Sequence, residues 1–125
     1  NVTGDLSTIM AGLACGEPCS IAWRVLEACA QNFLSVPDYV AAKGMRVLGS
    51  PLGGDPRIIS GESGAATVGL VAEIMENDAH IQLRRQLKLD RDSRILCIST
   101  EGDTDRENYR KIVWDGQCPS TSQAP

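Results

Sequence analysis

From Pro18 onward, apolar residues fall at helical spacing: Ile21, Ala22, Val25, Leu26, Cys29 and Phe33 recur every three or four positions until Ser35 and Pro37 break the series. This predicts a helix with one apolar face, opened by a proline suited to a first turn. A second, shorter helix is predicted from Pro37 through Val40, Ala41 and Met45 to about Leu48, where SPLGGDP interrupts regular structure. Ser60 to Gly64 reads as a turn into a third helix of small and aliphatic residues, AATVGLVAEIMEN, with Thr67, Leu70, Val71 and Ile74 on one face. Gly69 in its middle suggests close packing. A polar helix around Ile81 to Leu87 follows, with Arg84, Arg85 and Lys88 expected on a solvated face.

Arg94 to Ser99 is the best strand of the chain, short, apolar and bounded by Asp-rich segments, as in a strand buried on both faces of a parallel sheet. A brief apolar pair, Ile58 and Ile59, is the only other strand candidate. Thr104-x-x-Glu107 has the spacing of a capping box, so a last helix is predicted near Asp105, turning Tyr109, Ile112 and Val113 inward. Before Pro18 the segment VTGDLSTIMAGLACGEP has no sustained period and reads as loop. After residue 118 a frayed tail is expected, leaving 1–118 as one structural unit. A lone buried strand cannot satisfy its backbone groups, so the rest of its sheet must come from elsewhere.

Composition narrows the function classes. With 125 residues there is one domain or less. Sixteen acidic against twelve basic residues, and no basic cluster longer than Arg84-Arg85, argue against nucleic acid as a partner. Apolar runs such as Ala65 to Ala72 are too short to span a bilayer, so no membrane partner is expected. Five cysteines, with Cys29 and Cys97 inside apolar patterns, fit a reducing cytoplasmic setting and no disulfide framework. Cys15 and Cys19 are spaced C-x3-C, but His80 is the single histidine, so they are expected to pack and not to bind metal. His80 itself reads as a surface residue, and the Gly-rich SPLGGDP reads as a turn before it reads as an anion cradle. No nucleophile elbow, dinucleotide fingerprint or P-loop is present.

Three segments carry the remaining signal: TIMAGLACGEP, ISGESGAATVGL and ILCISTEGDTD. In this order and spacing they resemble the C-terminal part of the fold-type II pyridoxal-phosphate (PLP) enzymes, the group of the tryptophan synthase β-subunit, threonine dehydratase and cysteine synthase. The resemblance covers Thr3 to Gly116 and is greatest to the members that eliminate ammonia from 2,3-diaminopropionate. It implies a three-layer α/β/α domain, here helix-rich and incomplete, a PLP cofactor, a small amino-acid substrate, pyruvate and ammonia as products, and a homodimer.

By the same resemblance, Gly12 lies in a loop beside the cofactor, where a residue without a side chain lets backbone approach a flat ring; a plain turn glycine is the alternative. Glu62 lies near the pyridine ring, or else is only a favourable carboxylate at a helix start. Ser99 or Thr100, delivered by the strand to its C-terminal end, hydrogen-bonds the ring nitrogen. The tryptophan synthase pattern selects Ser99 and the cysteine synthase pattern Thr100, so both stand. A neutral hydroxyl there makes a weaker electron sink than a carboxylate, which suits β-elimination over transamination.

The family's cofactor-bearing lysine and its Gly-rich phosphate cradle belong to the N-terminal part of the full-length enzymes, and none of Lys43, Lys88 or Lys111 sits in a matching context. This segment is therefore expected to be one wall of a cofactor site and inactive alone. Two alternatives remain: a threonine or serine dehydratase of the same class, and a non-catalytic interaction or dimerisation domain whose helix from Pro18 to Leu34 packs on a partner.

Overall fold

The computed structural model describes residues 3–119, and the tail expected after residue 118 lies, apart from Pro119, outside the described residues. Five α-helices and two single 3-10 turns make up the regular structure: α1 Ser20–Cys29, α2 Asp38–Gly49, α3 Glu62–Glu76, α4 Ile81–Gln86 and α5 Arg106–Val113, with the 3-10 turns at Ala11–Leu13 and Asp78–His80.

The centre of the packing is an antiparallel crossing of α2 and α3. Val40 faces Gly69 and Gly44 faces Ala65 so closely that a methyl group on Gly69 would lie 1.9 Å from the Val40 carbonyl oxygen, and one on Gly44 would lie 2.1 Å from that of Ala65. Backbone meets backbone here because Gly44 and Gly69 have no side chain to hold the other helix off. The buried face of α3 is accordingly Gly64, Ala65, Ala66, Gly69, Glu73 and Ile74. Of the expected face, only Ile74 is fully buried; Leu70 and Val71 lie at its margin and Thr67 is exposed. Close helix approach rewards small residues, a preference that hydrophobicity alone does not reveal.

α5 covers the other side of α2. Ala42, Met45, Ala65, Tyr109 and Ile112 form the main core, joined at its rim by Ile9, Leu48 and Val113. Arg46 fixes the end of α5 by donating to the carbonyls of Ile112, Gln117 and Cys118, each at 3.0 Å. The Ile112 carbonyl is one that a helix C-terminus otherwise leaves unpaired, and the other two belong to the segment that follows the helix. A second cluster, Met10, Ala41 and Ala66, holds the N-terminal loop against the same helix pair.

Several sequence expectations change in detail. Asp105, and not Thr104, caps α5, its carboxylate accepting the Asn108 amide at 3.0 Å. Arg84 is not fully solvated: it is half-buried and donates to the Met75 carbonyl at 2.8 Å. His80 is half-buried, with Nε2 3.6 Å from Glu73. Cys15, Cys19 and Cys29 are exposed free thiols instead of packing residues, and the Ala22 and Ile21 amides at the start of α1 hold the Cys19 thiol below its ordinary pKa.

No strand is formed among the described residues. The segment 94–99 has no ladder partner there, and Ile95, Leu96 and Ile98 stay 43%, 88% and 66% exposed. A strand is defined by its neighbours, so an apolar segment without them is left in solvent. Ile58 bonds instead to the Leu48 carbonyl at 2.9 Å. α1 forms but stops at Cys29, short of the expected end near Leu34, so Phe33 lies outside it, and it buries none of its residues; its Trp23 stacks on Phe33 with ring centroids 6.1 Å apart.

Candidate functional site

The three chemistry-bearing segments converge on the first turn of α3. Gly61, extended at φ −75°, leads into the helix at Glu62, whose early amides have no partner within the helix. The Gly12 amide of the N-terminal loop donates to Ser63 Oγ at 3.2 Å. A methyl on Gly12 would fall 2.9 Å from that oxygen and turn the Ser63 hydroxyl away, so the glycine preserves this close approach to α3. The loop is pinned at its other end by Asp38, which accepts from the Thr8 hydroxyl and from the Ile9 amide at 3.2 Å.

From the opposite side comes STEGDTD. Ser99 Oγ lies 2.7 Å from Ser60 Oγ and 3.2 Å from the Glu101 carbonyl oxygen. Ser60 is the most buried polar side chain among the described residues, 1% exposed, and this pairing accounts for its hydroxyl. The amides of α3 are met by Glu101: Oε1 accepts from Ser63 N at 2.5 Å and from Gly64 N at 3.3 Å. Glu62 instead accepts a hydrogen bond from the Asn108 side chain of α5. Thr100, between Ser99 and Glu101, is exposed and its hydroxyl has no partner among the described residues.

Gly12, Glu62 and Ser99 are thus brought together around one helix start, with Thr100 at its solvent edge. Ser60, Ser63, Glu101 and Asn108, which bind these residues to one another, were not legible from spacing. The available signal was the pair Gly61 and Gly64 flanking a helix start, since glycines so placed mark close backbone approach. A methyl on Gly64 would meet Ser60 Oγ at 2.7 Å and Ser99 Oγ at 3.0 Å.

No lysine joins this group. Lys43 is 3.0 Å from Glu73 and 2.8 Å from Glu76, carboxylates eleven and more residues along α3 from Glu62, which is about 16 Å at the helical rise. Lys111 pairs with Glu107 at 2.6 Å, and Lys88 is exposed just beyond α4. Among the described residues no group of three His, Cys, Asp or Glu side chains could hold a metal ion, and no helix is long and apolar enough to cross a membrane. The arrangement offers hydroxyls and backbone to one edge of a ligand, with no lysine among them.

No family model matches the chain. Solved structures that share its fold are lyases, one of them in complex with an aminoacrylate-PLP azomethine reaction intermediate. More particularly, they are diaminopropionate ammonia-lyase from Escherichia coli. That complex superposes with a TM-score of 0.85 at 54% identity over 90% of this chain, and the apo form with 0.79 at 48% identity over 84%. The curated diaminopropionate ammonia-lyases of Escherichia coli K12 and Salmonella typhimurium are 55% and 50% identical to the chain over 117 residues. Over 94% of its length the chain is therefore similar to the C-terminal part of that enzyme. It spans about 29% of the length of these relatives.

Proposed function

We propose that the polypeptide containing this chain is a PLP-dependent carbon–nitrogen lyase that converts 2,3-diaminopropionate to pyruvate and ammonia, with these residues forming one wall of the cofactor site. The observation that carries this reading is the 55% identity over 94% of the chain, together with the three motifs meeting at one helix start. A homodimer follows from the resemblance alone, and a cytoplasmic setting from the free cysteines. The donor set fits one edge of the cofactor: neutral hydroxyls and a bare glycine suit a flat heteroaromatic ring, while the absence of a nearby lysine and of a phosphate cradle leaves its other contacts to residues beyond those described.

When bound, PLP supplies the electron sink that lets the α-proton and then the β-amino group leave the substrate. The contribution of this chain is positional. A ring nitrogen that stays unprotonated needs a hydrogen-bond donor. Ser99 has one hydroxyl hydrogen and two acceptors already beside it, Ser60 Oγ and the Glu101 carbonyl. Thr100 has none beside it. We therefore favour Thr100 as the donor, with Ser99 fastening the loop. Gly12 keeps the loop of residues 8–14 close to α3, and Glu62, held by Asn108, borders the same side.

Two measurements test the reading. The complete polypeptide, supplied with PLP, should release pyruvate from 2,3-diaminopropionate; faster release from serine or threonine would transfer the assignment to a dehydratase. Thr100→Ala should alter the cofactor's absorbance spectrum and lower turnover about tenfold, the value of one hydrogen bond, with Ser99→Ala leaving the spectrum closer to the parent's. The reverse ranking would assign the contact to Ser99.

A further inference from the structure

Glu101 joins the loop 99–105 to the start of α3 through both its side chain and its backbone. Its carboxylate accepts from the amides of Ser63 and Gly64, at 2.5 and 3.3 Å, and its carbonyl accepts from the Gly61 amide and the Ser99 hydroxyl, each at 3.2 Å. A carboxylate on first-turn amides satisfies donors that the helix leaves open and sits at the favourable end of its dipole. The receiving surface is shaped for it. A methyl on Gly61 would fall 2.9 Å from Glu101 Cδ and 2.5 Å from the Gly102 carbonyl oxygen, and one on Gly64 would fall 3.1 Å from the Glu101 amide nitrogen. GESG therefore accommodates residues 101–102 only because both ends of the motif lack side chains.

We infer that Glu101 is a positioning residue for the cofactor site: it clamps the loop to α3 so that Thr100, its neighbour in sequence, is held at a fixed place on the site's edge. The inference rests on the reading proposed above. Thr100 has no tether of its own among the described residues, so its position depends on the residues on either side. Ser99 is tied through one neutral hydroxyl pair, whereas Glu101 is tied through a charge-assisted pair to backbone atoms that cannot swing away. The charged tether is the stronger of the two.

The test uses the complete polypeptide. Glu101→Ala should weaken PLP binding about tenfold, the loss expected for hydrogen bonds to a charged group, and lower kcat while KM for the amino acid changes little. Glu101→Gln keeps an acceptor oxygen on the same amides and should restore PLP affinity to within about threefold of the parent. Gly61→Ala keeps the Glu101 side chain but pushes residues 101–102 off α3, and should reproduce the Glu101→Ala behaviour, which keeps the question open to test if Glu101→Ala does not fold. Unchanged PLP affinity in both Glu101→Ala and Gly61→Ala, or a fall in thermal stability alone that Glu101→Gln does not reverse, overturns the positioning role. An unsubstituted polypeptide that takes up no PLP overturns the proposed function and this inference with it, so the two failures are told apart by the parent protein.

Discussion

Glu73 lies in the second half of α3 with its side chain 9% exposed, a burial that an ionised carboxylate tolerates only when paired. The Asn77 amide at 2.8 Å holds its pKa below the ordinary carboxylate value; burial works against this and Lys43 adds to it. For Lys43, burial pushes the pKa down, but the bonds to Glu76 and Glu73 outweigh it and the net direction is up. A depressed carboxylate contributes stability above its unfolded pKa, ordinarily 4.5, and loses it as pH falls through the lower folded value. A raised lysine contributes below its ordinary 10.5 and loses that contribution as pH climbs through the higher folded value. The ion cluster should therefore be fully stabilising between these limits. Glu73→Gln should cost about 2 kcal/mol near neutrality, measured by thermal unfolding, and the gap from the parent should narrow as pH drops below 4.5. A gap that stays constant across that range would show that the charge is not what matters. The sequence placed Glu73 on an amphipathic helix but could not reveal its partners, because Lys43 lies thirty residues away.

Among the elements, the α2–α3 crossing decides most of the fold. Its close contact depends on Gly44 and Gly69, and a methyl at either would collide with a backbone carbonyl that cannot move alone. Gly69→Ala should destabilise by about 3 kcal/mol through forced separation of the helices, even though alanine is the better helix former. Gly54→Ala, where nothing lies within 4 Å, provides the comparison and should leave denaturant midpoints nearly unchanged. Equal effects of the two would mean that the crossing is not under steric control. Four helix positions were legible from periodicity and prolines. The buried face of α3 was not, because small residues facing a neighbouring backbone score low on any hydrophobic scale. The cap of α5 shifted by one residue for a similar reason, since Thr104 and Asp105 are both good caps and only backbone geometry chooses between them.

At the scale of the whole molecule, the described residues leave two apolar surfaces uncovered. One is α1 with Ile21, Val25 and Leu26, 78%, 61% and 44% exposed; the other is the segment 95–98. Surfaces of this kind mark contacts. Replacing Leu96 and Ile98 by Thr in the 125-residue chain should reduce binding of a hydrophobic dye and cost little stability. In the complete polypeptide the same pair should destabilise by about 2 kcal/mol per residue, the value of a side chain buried there. Equal, small effects in both contexts would argue that the segment never enters a sheet.

By itself the sequence determined the helices, the likeness of its three motifs to one enzyme class, and the strand-like character of residues 94–99, since local periodicity and short motifs are written within a few neighbouring positions. The tertiary structure alone decided which face of α3 is buried, that Glu101 and not Glu62 meets the helix amides, and that Ser99 is already engaged while the Thr100 hydroxyl has no partner among the described residues. Each of these depends on atoms brought together from positions far apart in the chain, where spacing along the sequence carries no distance information.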